Sequence, residues 1–347
     1  MRSIAIEDIK DGQIIGKNVY DKEGRLLLKE GTVVKKLYIK RLEDMGLPFV
    51  YVRDELLEKE IDQKDLISDS VKVNFVRVLM EVHENIKSGK EIESKQVHSI
   101  INKVLEDVNS SKNLIVSGLD FYSDKIKFFV HSLNVSVLSI LIGKYLGYND
   151  FQIKDLALGA MLHDIGKLED DGEEHPDKGF EILKNMSEIK SQVAHVAFQH
   201  HENYDGTGYP RGLRGEDIQE YAKIVAIANY YDNLSFMNPL KERMYPYQAL
   251  EKVMSLGRTM FDPKLVDVFT KHVAPFPVGS FVRLSDLRYG VVLKLSQGLP
   301  SRPEVMVIAD KYGSRFSQFN RVNLMEERTL FINEILPENK RELMDLV

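Results

Sequence analysis

The sequence predicts a mainly α protein, a helical core with a small α+β module before it and a β-rich extension after it. Three observations point there. Apolar residues recur at helical spacing through much of residues 71–275. Residues 1–55 instead alternate short apolar runs with turn residues, and beyond Pro275 strand-like runs return. The 347 residues, 43% apolar and 29% charged, suit a soluble globular chain of two or three domains. The expected boundaries are 1–55, 56–114, 115–275 and 276–347.

Taken in order, the runs IAIEDI, DGQIIGKNVYD, KEGRLLLKEGTVV and LPFVYV read as short strands, with turns at Lys22-Glu23-Gly24 and Glu30-Gly31. Leu37 to Met45 has the spacing of a short amphipathic helix. Nothing in this module suggests chemistry, so it is expected to pack or to sense. Residues 56–69 are charged and read as a linker. Val71, Phe75, Val78, Leu79, Val82 and Ile86 then mark a helix that Ser88-Gly89 breaks. Val97, Ile100, Ile101, Val104, Leu105 and Val108 mark the next. His83 and His98, on these helices, are expected at a surface or an interface.

A helix through Phe128, Phe129, Leu133, Val137, Leu138 and Leu141 opens the 115–275 region, and one from Phe151 to Leu162 follows. Pro176 suits the first turn of a helix beginning at His175. Another helix runs from Ile189 towards His200, and Asp262 is expected to cap a helix with Pro263 in its first turn. After Pro275, FVRLSDLRYGVVLKLS and PEVMVIAD read as strands, followed by charged, irregular sequence.

The net charge of −6 argues against a general nucleic-acid binder, so DNA is not an expected partner. The absence of cysteine excludes disulfides and thiolate metal sites. No signal peptide is evident at the N-terminus, and the most apolar run, Val135 to Gly143, is too short to span a bilayer. These features give a cytoplasmic reading without membrane insertion.

Chemistry concentrates between Leu162 and Pro210, in LHDIGKLEDDGEEHPDKGFEIL and then FQHHENYDGTGYP. His163, His175, His200 and His201 with Asp164 are nitrogen and carboxylate donors suited to iron, manganese or zinc. One carboxylate can bridge two ions, and paired ions can activate water for attack on phosphorus. Adjacent residues such as His163 and Asp164, or His200 and His201, diverge on a regular helix, so a shared role requires a change of backbone there. The turn-forming DGTGYP run supplies one. Lys167 follows close enough to meet a phosphate oxygen, and Arg211 and Arg214 follow the loop. Glu202 and Asp205 are expected to orient the histidine rings.

HD at 163–164, GK at 166–167, HP at 175–176, HHE at 200–202 and DGTGYP at 205–210, in that order, resemble the HD-GYP family. This is a branch of the HD metal-dependent phosphohydrolases associated with cyclic di-GMP hydrolysis, and the likeness runs from about residue 115 to 275. It implies an HD-type helical bundle holding two divalent ions, iron or manganese. It also implies hydrolysis of cyclic di-GMP through a metal-bridging hydroxide, with Asp164 and Lys167 as catalytic residues. Lys167, Tyr209, Arg211 and Arg214 would contact substrate. His131, in the family's HS dipeptide, joins the metal ligands, and a homodimer is compatible with the pattern.

Three departures stand out. Asn229 occupies the position of a ligand aspartate, so the implied ligand there carries no charge; Asp232 matches a second, structural aspartate. Lys127 stands where members with a third metal have glutamate. Only eleven residues separate His163 from His175, fewer than usual, which is expected to reshape one pocket wall. The alternative implied is a degenerate member that binds cyclic di-GMP or a partner protein without turnover.

Overall fold

The computed structural model describes residues 2–21, 25–45, 49–53, 66–90, 92, 94–110, 124–169, 172–237, 244–296 and 298–337. The expected turn at Lys22-Glu23-Gly24 and most of the 56–69 linker lie outside these. The chain divides into two compact units. One comprises Met1–Lys64, Asp120–Ile126 and Ala274–Val347, the other Asp65–Leu119 and Lys127–Val273.

In the N-terminal module, β1 (Arg2–Ala5) pairs antiparallel with β4 (Phe49–Val52), and β2 (Val19–Tyr20) pairs with β3 (Leu26–Leu28). Between the pairs in sequence lies α1 (Lys36–Asp44). Ile6, Ile15, Val19, Val34, Leu42, Val50 and Val52 form its small core.

The helical unit begins with α2 (Asp69–Lys87) and α3 (Ser94–Ser110), which pack on each other. Their apolar stripes share one core with the helices that follow. Next come α4 (Asp124–Tyr145), α5 (Asp150–Leu162), α6 (His175–Lys184), α7 (Ser191–Gln199), α8 (Glu220–Asp232), α9 (Pro246–Ser255) and α10 (Pro263–His272). As the sequence suggests, Asp262 caps α10 by accepting from the Lys264 N–H.

The central helix is α4. Leu133, Val137, Ile140 and Leu141 face one apolar cluster, while Val135, Leu138 and Ile142 face a second. A helix buried on both sides must be apolar all round. Ile126–Tyr145 is therefore long and apolar enough to cross a membrane, well beyond the Val135–Gly143 run, yet 83% of its most apolar window is buried in the protein. Each fully buried Leu or Ile here contributes about 1.5–3 kcal/mol.

The C-terminal strands β5 (Phe281–Leu284), β6 (Tyr289–Lys294), β7 (Glu304–Ala309), β8 (Arg315–Asn323) and β9 (Ile332–Ile335) form one antiparallel sheet, ordered β8-β7-β6-β5-β9. The charged stretch expected to be irregular is thus β8 and β9. The nine-residue β8 hides from a hydropathy reading because none of its side chains is fully buried. Its backbone pairing with β7, from Glu304↔Asn323 onward, specifies the strand instead.

Candidate metal centre

The ends of α5 and α7 and the start of α6 deliver the polar side chains to one place. His163 caps the C-terminus of α5, and Asp164 follows with φ −98° and ψ 13°, outside helical geometry. That change lets the two neighbouring side chains converge. His200 caps α7 in the same way, and His201 begins the turn after it.

Asp164, its side chain 1% exposed, lies at the middle. Its Oδ1 is 3.5 Å from His175 Nε2 and 3.4 Å from His200 Nε2. Its Oδ2 is 3.4 Å from His163 Nε2, 3.9 Å from His131 Nε2 and 2.7 Å from Lys167 Nζ. Two donor groups result, Asp164-His175-His200-His201 and His131-His163-Asp164, each with ligand atoms within 4.8 Å of one another. Asp164 belongs to both.

The ring orientations follow from where helices stop. The last carbonyls of a helix have no partner in the helix itself. His163 Nδ1 lies 2.8 Å from the Ala160 carbonyl, and His200 Nδ1 lies 2.9 Å from that of Ala197. His175 Nδ1 reaches the Gly172 carbonyl at 2.5 Å, in the turn before α6. All three bonds join a histidine to the carbonyl three residues back. Each Nδ1 must therefore carry its proton and donate, which leaves the Nε2 lone pair facing inward. On α4, His131 Nδ1 instead meets Asp232 Oδ2 at 2.6 Å, and Asp232 Oδ1 accepts from Asn134.

These orienting partners correct the expectation for Glu202 and Asp205. The Glu202 carboxylate accepts from the backbone N–H groups of Arg211 and Leu213, and Asp205 accepts from the Thr207 N–H and hydroxyl. They shape the loop after His201, while carbonyls and Asp232 occupy the Nδ1 atoms of His131, His163, His175 and His200. Asp232 has a clear consequence. Asp232→Asn should lower metal affinity at the His131 side about 10–100-fold. Titration with manganese would show it, and unchanged affinity would refute the orienting role.

The donor chemistry fits a divalent metal. His131 Nε2, His163 Nε2 and Asp164 Oδ1 are buried without hydrogen-bond partners. Each such atom costs roughly 1–3 kcal/mol unless something satisfies it. The Nε2 atoms of His175 and His200, both lone pairs by the argument above, lie 3.3 Å apart and repel unless a cation comes between them. Burial would raise the Asp164 pKa, and protonated neighbours, His163 foremost, would hold it well below the usual carboxylate range; where those Nε2 atoms present lone pairs instead, a cation must supply that stabilisation. Burial pushes His200 down to about 4 and His201 to about 2, so both stay neutral near neutral pH.

Those two shifts have a sign. Unfolded imidazoles take up protons near their ordinary value of 6.5, whereas His200 resists until about 4. Between these values the unfolded state binds more protons, so metal-free protein loses stability as pH falls from 6.5 towards 4. The loss is on the order of 1 kcal/mol per pH unit per histidine. Urea midpoints at pH 7.5 and 5 would measure it; equal midpoints would contradict it.

Of the other candidates, Lys167 and Tyr209 touch members of this centre. Lys167, its side chain 29% exposed, pairs with Asp164. Tyr209 stacks on His201, with centroids 4.8 Å apart and planes 11° apart. Arg211 lies over the Phe198 ring at 5.8 Å, and Arg214 is exposed near Asp205. Asn229 is buried on α8, and its carbonyl oxygen accepts from Asn233 Nδ2 at 2.8 Å. The short 163–175 link draws Gly166 against the His175 carbonyl and the Gly179 N–H. His83, expected at a surface or an interface, is 7% exposed because the rings of Phe128 and Phe129 cover it. Nothing in its local sequence signals that, since the covering rings come from a distant helix.

Comparison with known proteins agrees with this geometry. An HD domain model matches residues 171–265, and a model of a KOW domain associated with HD domain matches residues 281–343. The cyclic di-GMP phosphodiesterase PA4108 of Pseudomonas aeruginosa is 28% identical over 69% of this chain and 60% of its own length. The cyclic di-GMP phosphodiesterase response regulator RpfG of Xanthomonas campestris pv. campestris is 28% identical over 56% and 55%. The 3'3'-cGAMP-specific phosphodiesterase 2 of Vibrio cholerae is 36% identical over 33% of this chain and 23% of its own. The chain thus spans little more than half the length of the first two relatives. The HD match lies across the motifs from His175 to Pro210, so residues 171–265 carry an HD domain.

Proposed function

We propose that the protein is a metal-dependent phosphodiesterase that hydrolyses cyclic di-GMP. The observation that carries this reading is Asp164, one carboxylate shared between two sets of inward-facing donors. His131 and His163 would hold one ion with Asp164 Oδ2, and His175, His200 and His201 the other with Oδ1. Asn229 would be a neutral oxygen ligand at the first. Iron or manganese suits this mixed nitrogen and oxygen set. A divalent ion held here supplies Lewis-acid charge at phosphorus and activates water.

The chain's own residues do the rest. Asp164 stays ionised, so its two oxygens keep the donor sets together. The neutral imidazoles present lone pairs rather than protons. Lys167, at the exposed side of Asp164, offers a cation to a phosphate oxygen and stabilises charge as it develops there. Glu202 fixes the backbone at Arg211 and Leu213, and Tyr209, Arg211 and Arg214 on this loop would contact substrate. The relatives' names support a cyclic dinucleotide as substrate and say nothing against a homodimer. Burial of the α4 apolar stretch supports a cytoplasmic protein without membrane insertion.

Asn229 favours a second reading, a protein that binds the nucleotide without cleaving it. Its carbonyl brings no charge and already accepts a hydrogen bond from Asn233. Anaerobic assays with iron(II) or manganese(II), cyclic di-GMP or 3'3'-cGAMP, and chromatography of products separate the two. Turnover of cyclic di-GMP in preference to 3'3'-cGAMP is the expected result. Metal-loaded protein that retains the nucleotide uncleaved would move the conclusion to the second reading. Asn229→Asp should tighten metal binding by about tenfold or more, and unchanged affinity would remove Asn229 from the ligand set.

A further inference from the structure

His83 lies on α2, before the residues that match the HD domain, yet α2 packs against the Ile165–Leu168 turn that follows Asp164. Its ring meets Phe128 edge-on at 5.1 Å and Phe129 at 5.0 Å. Among the described residues no hydrogen bond to either of its ring nitrogens is found, and these two ring contacts hold it. Phe128 is half-buried and precedes the candidate ligand His131 by three positions, which places the two on one face of α4. Three positions rise about 4.5 Å along the helix.

Asp164 is within electrostatic reach of His83, which α2 carries, and of Tyr209, which follows the HHE run. Burial keeps His83 neutral, with its pKa pushed down to about 4, so it brings no positive charge to a phosphate. What this side offers instead is a partly open ring held at a fixed angle. A nucleotide whose phosphate sits at Asp164 extends its base beyond the ligand set, and an aromatic face is the sequence-tolerant way to hold a base.

We propose that Phe128 stacks on a nucleobase of the substrate and that His83 is the positioning residue that sets the Phe128 ring. This rests on the cyclic dinucleotide reading above. It assigns a substrate contact to α4 and a supporting residue to a helix that the HD-domain match does not include.

The test uses the full chain loaded with manganese and two substrates, cyclic di-GMP and methyl p-nitrophenyl phosphate, a phosphodiester without a base. Phe128→Leu should raise KM for cyclic di-GMP about tenfold, and its kcat/KM should fall far more for cyclic di-GMP than for the small diester. Phe128→Tyr should restore the preference. His83→Ala should behave like Phe128→Leu, and His83→Phe, which keeps an edge contact, should recover. If the wild type binds without cleaving, Kd from equilibrium dialysis replaces KM with the same expected changes. Equal losses on both substrates, or an unchanged KM in Phe128→Leu, would overturn the base contact while leaving the phosphodiesterase reading intact. A wild type that neither binds nor cleaves cyclic di-GMP would overturn that reading and the base contact with it.

Discussion

On the proposed reading, Asp164→Ala should lower cyclic di-GMP turnover by on the order of 10³-fold and empty both donor sets of metal together. The joint loss is the informative part. Oδ1 faces His175 and His200, while Oδ2 faces His131 and His163, so truncation removes a donor from each set at once. His201→Ala, by contrast, removes a donor from one set only. Metal analysis of the two purified variants beside the wild type separates these cases. An Asp164→Ala protein that keeps one full equivalent of metal would contradict the shared-carboxylate arrangement. Asp164→Asn should fall between, because it keeps the shape and one acceptor oxygen but gives up the charge.

Gly166→Ala should destabilise the protein by about 3 kcal/mol or more and release the metal held near His175. A Cβ at Gly166 would overlap the His175 carbonyl oxygen and the Gly179 N–H, closer than real Cβ contacts come. Both neighbours are backbone, so no side-chain rotation relieves the clash. The whole start of α6 would have to withdraw, carrying His175 with it. Gly257→Ala is the matched control, since the nearest atom to its Cβ would be 3.4 Å away, and it should cost less than about 1 kcal/mol. Urea unfolding of both variants decides the matter, and a Gly166→Ala protein as stable as wild type would refute the close approach.

Much of the centre was legible in the sequence because its donors are side chains in a compact pattern. His163, Asp164, His175, His200 and His201 announce themselves by type and order. What orients them does not, because the partners of His163, His175 and His200 are backbone carbonyls and carry no residue identity. A signal existed nonetheless. Histidines just past the ends of α5 and α7 fall where free carbonyls lie three residues back. Glu202 misled for a related reason: its type suggests a ring partner, but its carboxylate is taken by the Arg211 and Leu213 N–H groups. The helices were readable from periodicity, including α2 and α3. The burial of His83 was not, because Phe128 and Phe129 come from more than forty positions away in sequence. Strand β8 escaped because its pairing, rather than any buried stripe, defines it.

The bond between His131 and Asp232 joins residues 101 positions apart. Such a contact exists only after the intervening chain has folded and closed, so the ligand set has no counterpart in the unfolded protein. An ion that binds only the folded form adds its binding free energy to folding, about 2.7 kcal/mol at a hundredfold excess over Kd. For a domain of ordinary marginal stability that is a substantial fraction of the whole. Metal supply would then govern how many molecules survive proteolysis as well as how fast each one works. A cell starved of the ion would lose the protein itself, and restoring the ion would not restore activity until new chains were made.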